Sequence, residues 1–139
     1  MKRFFLLSAI TLCLLSNSLY AQITIQQSEK KALTSLGLVI YSNDTETVWN
    51  ALRLANYSKN QGDTVNIFLL GKGVELENLV QESKDIDNQV ELFLNGGGSI
   101  LGCGTCLKSR KNDEPQVCKL SSLKDLYELI RENTIVLTF

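Results

Sequence analysis

Gly96-Gly97-Gly98-Ser99-Ile100-Leu101-Gly102-Cys103-Gly104-Thr105-Cys106-Leu107-Lys108-Ser109-Arg110 is the stretch that decides the fold. Its three leading glycines let the backbone swing from one element into the next without steric cost. Ser99-Ile100-Leu101 is too short for a helix and reads as a buried strand. Gly102 is suited to close backbone approach, and Cys103 then falls at the carboxyl end of the strand. Cys106 follows in a C-x-x-C spacing as the strand gives way to a turn or helix. In open α/β sheets this edge is where ligands and chemistry collect.

Upstream, Leu36-Gly37-Leu38-Val39-Ile40-Tyr41-Ser42 is a near-continuous apolar run, as expected of a strand buried on both faces. Ser42-Asn43-Asp44 is a turn and capping cluster. From Thr45 to Asn60, Val48, Ala51, Leu52 and Ala55 recur at helical spacing, and Gly62 ends that helix. Thr64-Val65-Asn66-Ile67-Phe68-Leu69-Leu70 is a second strand, and Gly71-Lys72-Gly73-Val74 the turn at its carboxyl end. Val74, Leu76, Leu79 and Val80 open a helical pattern. Polar Gln81 to Asn88 is expected to interrupt it before a second piece with Val90, Leu92, Phe93 and Leu94.

Downstream, Lys108 to Pro115 is charged and irregular, and Val117-Cys118-Lys119-Leu120 reads as a short strand. Ser121 is expected to cap an amphipathic helix with Leu123, Leu126, Tyr127 and Ile130 on one face. Thr134 to Phe139 is a terminal strand. Strands alternating with helices imply an α/β protein: a three-layer α/β/α sandwich around a mostly parallel five-stranded sheet.

The chain of 139 residues is enough for one such domain. Met1-Lys2-Arg3, the apolar run from Phe4 to Leu15 and the more polar exit to Ala21 have the pattern of a secretory signal peptide cleaved after Ala21. The run is short for a spanning helix, which needs roughly 20 residues. The expected organisation is therefore a signal peptide over 1–21 and a single domain over 22–139, exported to the periplasm and free of the membrane after cleavage. Removing Lys2 and Arg3 takes the 14 basic residues to 12 against 15 acidic ones, so the net charge falls from −1 to −3. That argues against nucleic acid as a partner.

Cys13 leaves with the leader. Cys103, Cys106 and Cys118 remain, bound for a compartment where thiols tend to pair. The chain has no histidine, which removes Ser-His-Asp and Cys-His pairs and the usual zinc ligand sets. Cys103 and Cys106 are the candidate catalytic residues. A thiolate is the nucleophile of sulfur chemistry, and a helix start or nearby cations such as Lys108 and Arg110 favour it. The alternatives are an inert or structural pair in a non-catalytic oligomeric binding module, or three thiolates holding a soft metal such as copper(I). Gly71-Lys72-Gly73 resembles a phosphate-loop fragment but lacks the Walker spacing, so a glycine turn between strand and helix is the better reading, at a position that could still border the same pocket as Cys103. Asp44 and Glu46 suit capping. Trp49 and Tyr57 suit core or interface anchoring.

These parts, in this order, resemble the DsrE/DsrF-like proteins, which include YchN-like and TusD-like members. The resemblance rests on Gly37 to Tyr41, the Trp49 to Ala55 helix, Gly62 to Val74, Leu101 to Arg110, and Leu123 to Phe139. It implies the same parallel-sheet sandwich, often built into trimers or hexamers. It implies sulfane sulfur carried as a persulfide on Cys103, with Arg110 on the matching arginine, and no organic cofactor. The implied partners are sulfur donor and acceptor proteins, or small thiols and persulfides. The leader and the additional Cys106 set this chain apart from cytoplasmic relay members. Cys106 is the expected resolving thiol or second half of a redox disulfide.

Overall fold

The computed structural model describes residues 34–139; the expected signal peptide over 1–21 and the lead-in to Leu33 lie outside the described residues. The chain runs β1 (Ser35–Ile40), α1 (Thr45–Asn60), β2 (Thr64–Leu69), a 3-10 turn (Gly71–Glu75), α2 (Leu76–Glu82) and α3 (Lys84–Asn95). It continues through β3 (Ser99–Cys103), α4 (Gly104–Ser109), β4 (Lys119–Ser121), α5 (Leu123–Glu132) and β5 (Ile135–Thr138). The sheet order is β4-β3-β2-β1-β5, and all four pairings are parallel. Leu38 stands beside Ile67 on one flank and Leu137 on the other, while Cys103 stands beside Ser121.

That order dictates the layers. From β1 to β4 the chain steps across the sheet in one direction, so right-handed crossovers place α1 to α4 on one face. From β4 it reverses to reach β5, which puts α5 on the other. The side chains agree. Leu36, Leu38, Ile40, Ile67, Leu69 and Ile100 meet the α1 residues Val48, Leu52 and Ala55 together with Ile86, Phe93 and Leu107 in one buried cluster. Val39 and Phe68 point the opposite way and meet Leu126 and Leu129 of α5. Period-two alternation within a continuously apolar strand is what serves two hydrophobic faces at once.

The helix starts are set by side-chain caps. Asp44 Oδ1 accepts from Thr47 N–H at 2.9 Å and from Thr47 Oγ1 at 2.7 Å, and these bonds hold its carboxyl below the usual carboxylate range. At α5 the cap is Ser122, one residue later than expected. Its N–H and Oγ both donate to Asp125 Oδ2, at 2.6 and 2.7 Å, in a capping box that Ser121 cannot form. Ser121 instead belongs to β4, and its hydroxyl donates to the Gly102 carbonyl at 2.9 Å.

The interruption expected over Gln81 to Asn88 shrinks to the single extended residue Ser83. Its hydroxyl receives Ile86 N–H at 3.5 Å, so α3 restarts at once and buries Ile86 completely. Polar Asp85 and Asp87 simply occupy the outer side of its first turn.

Candidate functional site

The carboxyl edge of the sheet assembles the site from three loops. β3 delivers Cys103 as its last residue, and that residue also occupies the cap position of α4. Cys106 lies in the first turn of α4, and residues three apart share a helix face. The two thiols are therefore neighbours, near enough for Cys103 to act on the Cys106 thiol. Both are partly exposed free thiols. Cys103 packs against both buried clusters, so it sits where the sheet itself runs out.

The loop after β2 supplies the second wall. Gly71 N–H donates to Cys106 Sγ at 3.3 Å. Its aim depends on Gly73, where an added Cβ would stand 2.0 Å from the Ile40 carbonyl oxygen, so only glycine allows this turn to lie against β1. Gly71-Lys72-Gly73 is thus a tight turn bordering the cysteines.

Polar side chains tie the edge together. Arg110 Nη1 donates to the Cys106 carbonyl at 3.2 Å, and Ser109 Oγ donates to the same oxygen at 2.8 Å. Arg110 Nε donates to Glu75 Oε1 at 2.7 Å, and Asn43 Nδ2 donates to Glu75 Oε2 at 2.8 Å. Arg110, then Asn43, holds the Glu75 carboxyl below its ordinary range. The chain Asn43–Glu75–Arg110–Cys106 therefore links the loops after β1, β2 and β3.

The electrostatics at Cys106 differ from the sequence expectation. Burial, and then the neighbouring Cys103, raise the Cys106 thiol above the usual range, against the opposing pull of Gly71 N–H and Arg110. The positive charge expected from Arg110 is present but committed to Glu75, and Lys108 is exposed. Cys106 therefore holds its proton more firmly than an ordinary thiol.

Cys118 does not join the pair. It is buried against Gly102, where an added Cβ would lie 2.5 Å from its sulfur and 3.0 Å from Leu107 Cδ1. Burial, with a smaller contribution from Glu77, pushes its thiol up to about 11. Among the described residues no group of three or more Cys, Asp, Glu or His side chains is gathered to hold a metal ion. The three-thiolate copper(I) arrangement is thus not assembled, because Gly102 draws Cys118 into the core.

Sequence reasoning missed Glu75 and Glu77. Glu77 Oε2 accepts from Asn112 Nδ2 at 2.5 Å, and its other oxygen accepts the Gln116 N–H, which pins the segment after α4. Between these carboxylates and Arg110 lies a small cavity of about 70 Å³. The available signal was two acidic residues just beyond a glycine turn at a carboxyl edge, with an arginine and two amides awaiting partners. Trp49 is half-buried beneath Arg53, whose guanidinium lies 4.2 Å from the ring centroid, while Tyr57 is exposed.

Fold and site together define an α/β/α protein with a thiol pair at the carboxyl edge of a parallel sheet. The chain belongs to the DsrE/DsrF-like family, whose profile matches residues 35–139. It is 34% identical over 100 residues to the uncharacterized protein MJ0989 of Methanocaldococcus jannaschii, covering 68% of this chain and 88% of that one. It is 30% identical over 100 residues to the uncharacterized protein MK0008 of Methanopyrus kandleri, covering 68% and 83%. Its fold is similar to the crystal structure of the ychN protein from E. coli, with a TM-score of 0.66 at 21% identity, covering 77% of this chain and 99% of that one. It is similar also to the conserved protein of unknown function BT1422 from Bacteroides thetaiotaomicron, with a TM-score of 0.62 at 21% identity, covering 76% and 95%.

Proposed function

We propose that this protein is an exported sulfur carrier with a thiol-redox branch, working in the periplasm. One observation carries the reading: two partly exposed thiols stand side by side at the carboxyl edge of the sheet. The Cys103 thiolate attacks the outer sulfur of a donor persulfide. The donor S–S bond breaks, the donor leaves as a thiolate, and Cys103 holds the sulfur as Cys103–S–SH. An acceptor thiolate takes that outer sulfur and regenerates the Cys103 thiolate. In the absence of an acceptor, the Cys106 thiolate attacks Cys103 Sγ. Hydrosulfide then leaves, a Cys103–Cys106 disulfide forms, and a thiol reductant restores the pair.

The raised Cys106 thiol supports this division of labour, since a protonated resolving thiol leaves the persulfide time to meet its acceptor. Donor and acceptor are proteins or small thiols and persulfides. The apolar outer stripe of α5, with Leu123 76%, Tyr127 64% and Ile130 48% exposed, supports assembly with further copies of the chain into a trimer or hexamer. The leader pattern supports export.

The test is sulfur loading followed by intact mass. A persulfide donor adds one sulfur, about 32 Da, to the wild-type chain and to Cys106→Ser, and none to Cys103→Ser. Cys106→Ser retains the added sulfur longer than wild type and releases less sulfide. Undiminished loading of Cys103→Ser removes the proposal.

A further inference from the structure

Beside the two sulfurs the site holds a carboxylate with both oxygens engaged. Glu75 accepts from Asn43 with one carboxylate oxygen and from Arg110 with the other, and it is the acidic partner in the Arg110 ion pair. Arg110 in turn reaches the Cys106 carbonyl. A guanidinium placed beside a thiol favours the thiolate, but a carboxylate paired with that guanidinium cancels much of its field.

We propose that Glu75, oriented by Asn43, is a positioning residue that restrains the thiol pair: it fixes the Arg110 guanidinium on the Cys106 carbonyl and neutralises the charge that would otherwise activate Cys106. This deepens the thiol reading of the site and rests on it. The groups acting on Cys106 can be named from each neighbouring element. β3 brings Cys103, the turn after β2 brings Gly71 N–H and, near Glu75, Lys72, and α4 brings Arg110. Of these, Arg110 is the cation that acts on Cys106, and Glu75 is its acidic partner. A mere brace between loops would require the hydrogen bonds only. A charge restraint requires the negative charge, which Gln at the same position lacks.

The two roles separate in the rate of alkylation by iodoacetamide as a function of pH. The protein is full-length in a Cys13→Ser, Cys103→Ser background, so that Cys106 reports alone and buried Cys118 stays silent. No persulfide is involved, so failure here leaves the loading experiment untouched, and failure of loading leaves this one readable. Glu75→Gln is expected to move the alkylation midpoint to lower pH and to raise the rate at pH 7.5 by about 2- to 5-fold. Arg110→Gln is expected to move the midpoint upward, and Glu75→Gln added to Arg110→Gln to move it back down, because the field of the carboxylate adds to that of the guanidinium and does not depend on it. Asn43→Ala, which frees one side of the carboxylate, moves the midpoint the same way as Glu75→Gln by less, and serves as the deciding variant should Glu75→Gln fail to fold. An unmoved or raised midpoint in Glu75→Gln overturns the proposal, as does a uniform rate change at every pH.

Discussion

Gly102→Ala tests the placement of Cys118 directly. The new methyl would stand 2.5 Å from Cys118 Sγ and 3.0 Å from Leu107 Cδ1, with Cys118 Cβ at an ordinary 3.5 Å. Real Cβ atoms do not approach a sulfur that closely, so β3, β4 or the Cys118 side chain must shift. Overpacking of this kind costs about 1–3 kcal/mol. In a domain of roughly 100 residues each kcal/mol lowers the Tm by about 4–8 °C, so a fall of about 5–20 °C is expected. Cys118→Ala alone deletes one buried sulfur and costs about 1 kcal/mol. Combined, the two changes relieve each other, because the methyl occupies the space that the sulfur leaves. The double variant is therefore expected to be more stable than Gly102→Ala alone, with a favourable coupling of about 1 kcal/mol or more. Thermal unfolding of the four proteins followed by circular dichroism supplies the cycle. Strict additivity, or a Gly102→Ala variant as stable as wild type, would falsify the packing account of Cys118. Cys118→Ala should also load sulfur as wild type does, since its thiol is buried and not gathered with the other two.

The same thiol gives a pH signature. Its folded value of about 11 lies above the ordinary thiol value of about 9, so above pH 9 the unfolded chain binds fewer protons at this position and stability falls as pH rises. The stabilisation of up to about 3 kcal/mol is fully present below pH 9 and lost by about pH 11; denaturant titrations at pH 8 and pH 10.5 should show wild type losing more than Cys118→Ala. Glu77→Ala removes the acceptor of Asn112 Nδ2 and Gln116 N–H, and is expected to cost about 1 kcal/mol and to speed tryptic cleavage at Lys111. Equal cleavage rates in the two proteins contradict that anchoring role. Tyr127→Glu places a charge in the exposed stripe of α5; sedimentation should show wild type as an oligomer and the variant as smaller, at an unchanged Tm. A wild-type chain that sediments as a monomer refutes the assembly.

Local sequence determined the elements and their order, because each signal acts within a few residues. Val48, Ala51, Leu52 and Ala55 mark a helix face wherever the helix lies, Asp44 caps it within one turn, and the apolar run Leu36 to Ile40 can be stable only as a strand covered on both sides. Cys103 and Cys106 are likewise neighbours by their own spacing at a strand end. Tertiary structure alone decided what surrounds them. Glu75 meets Arg110 across 35 positions and Asn43 across 32, and Gly71 meets Cys106 across 35. Such pairs depend on which strands lie side by side and on which loops share a sheet edge, and no local periodicity encodes that. The fate of Cys118 was settled in the same way. Its sequence position offered a third ligand, but the close pairing of β3 with β4 buried its sulfur against Gly102 and left two thiols at the edge.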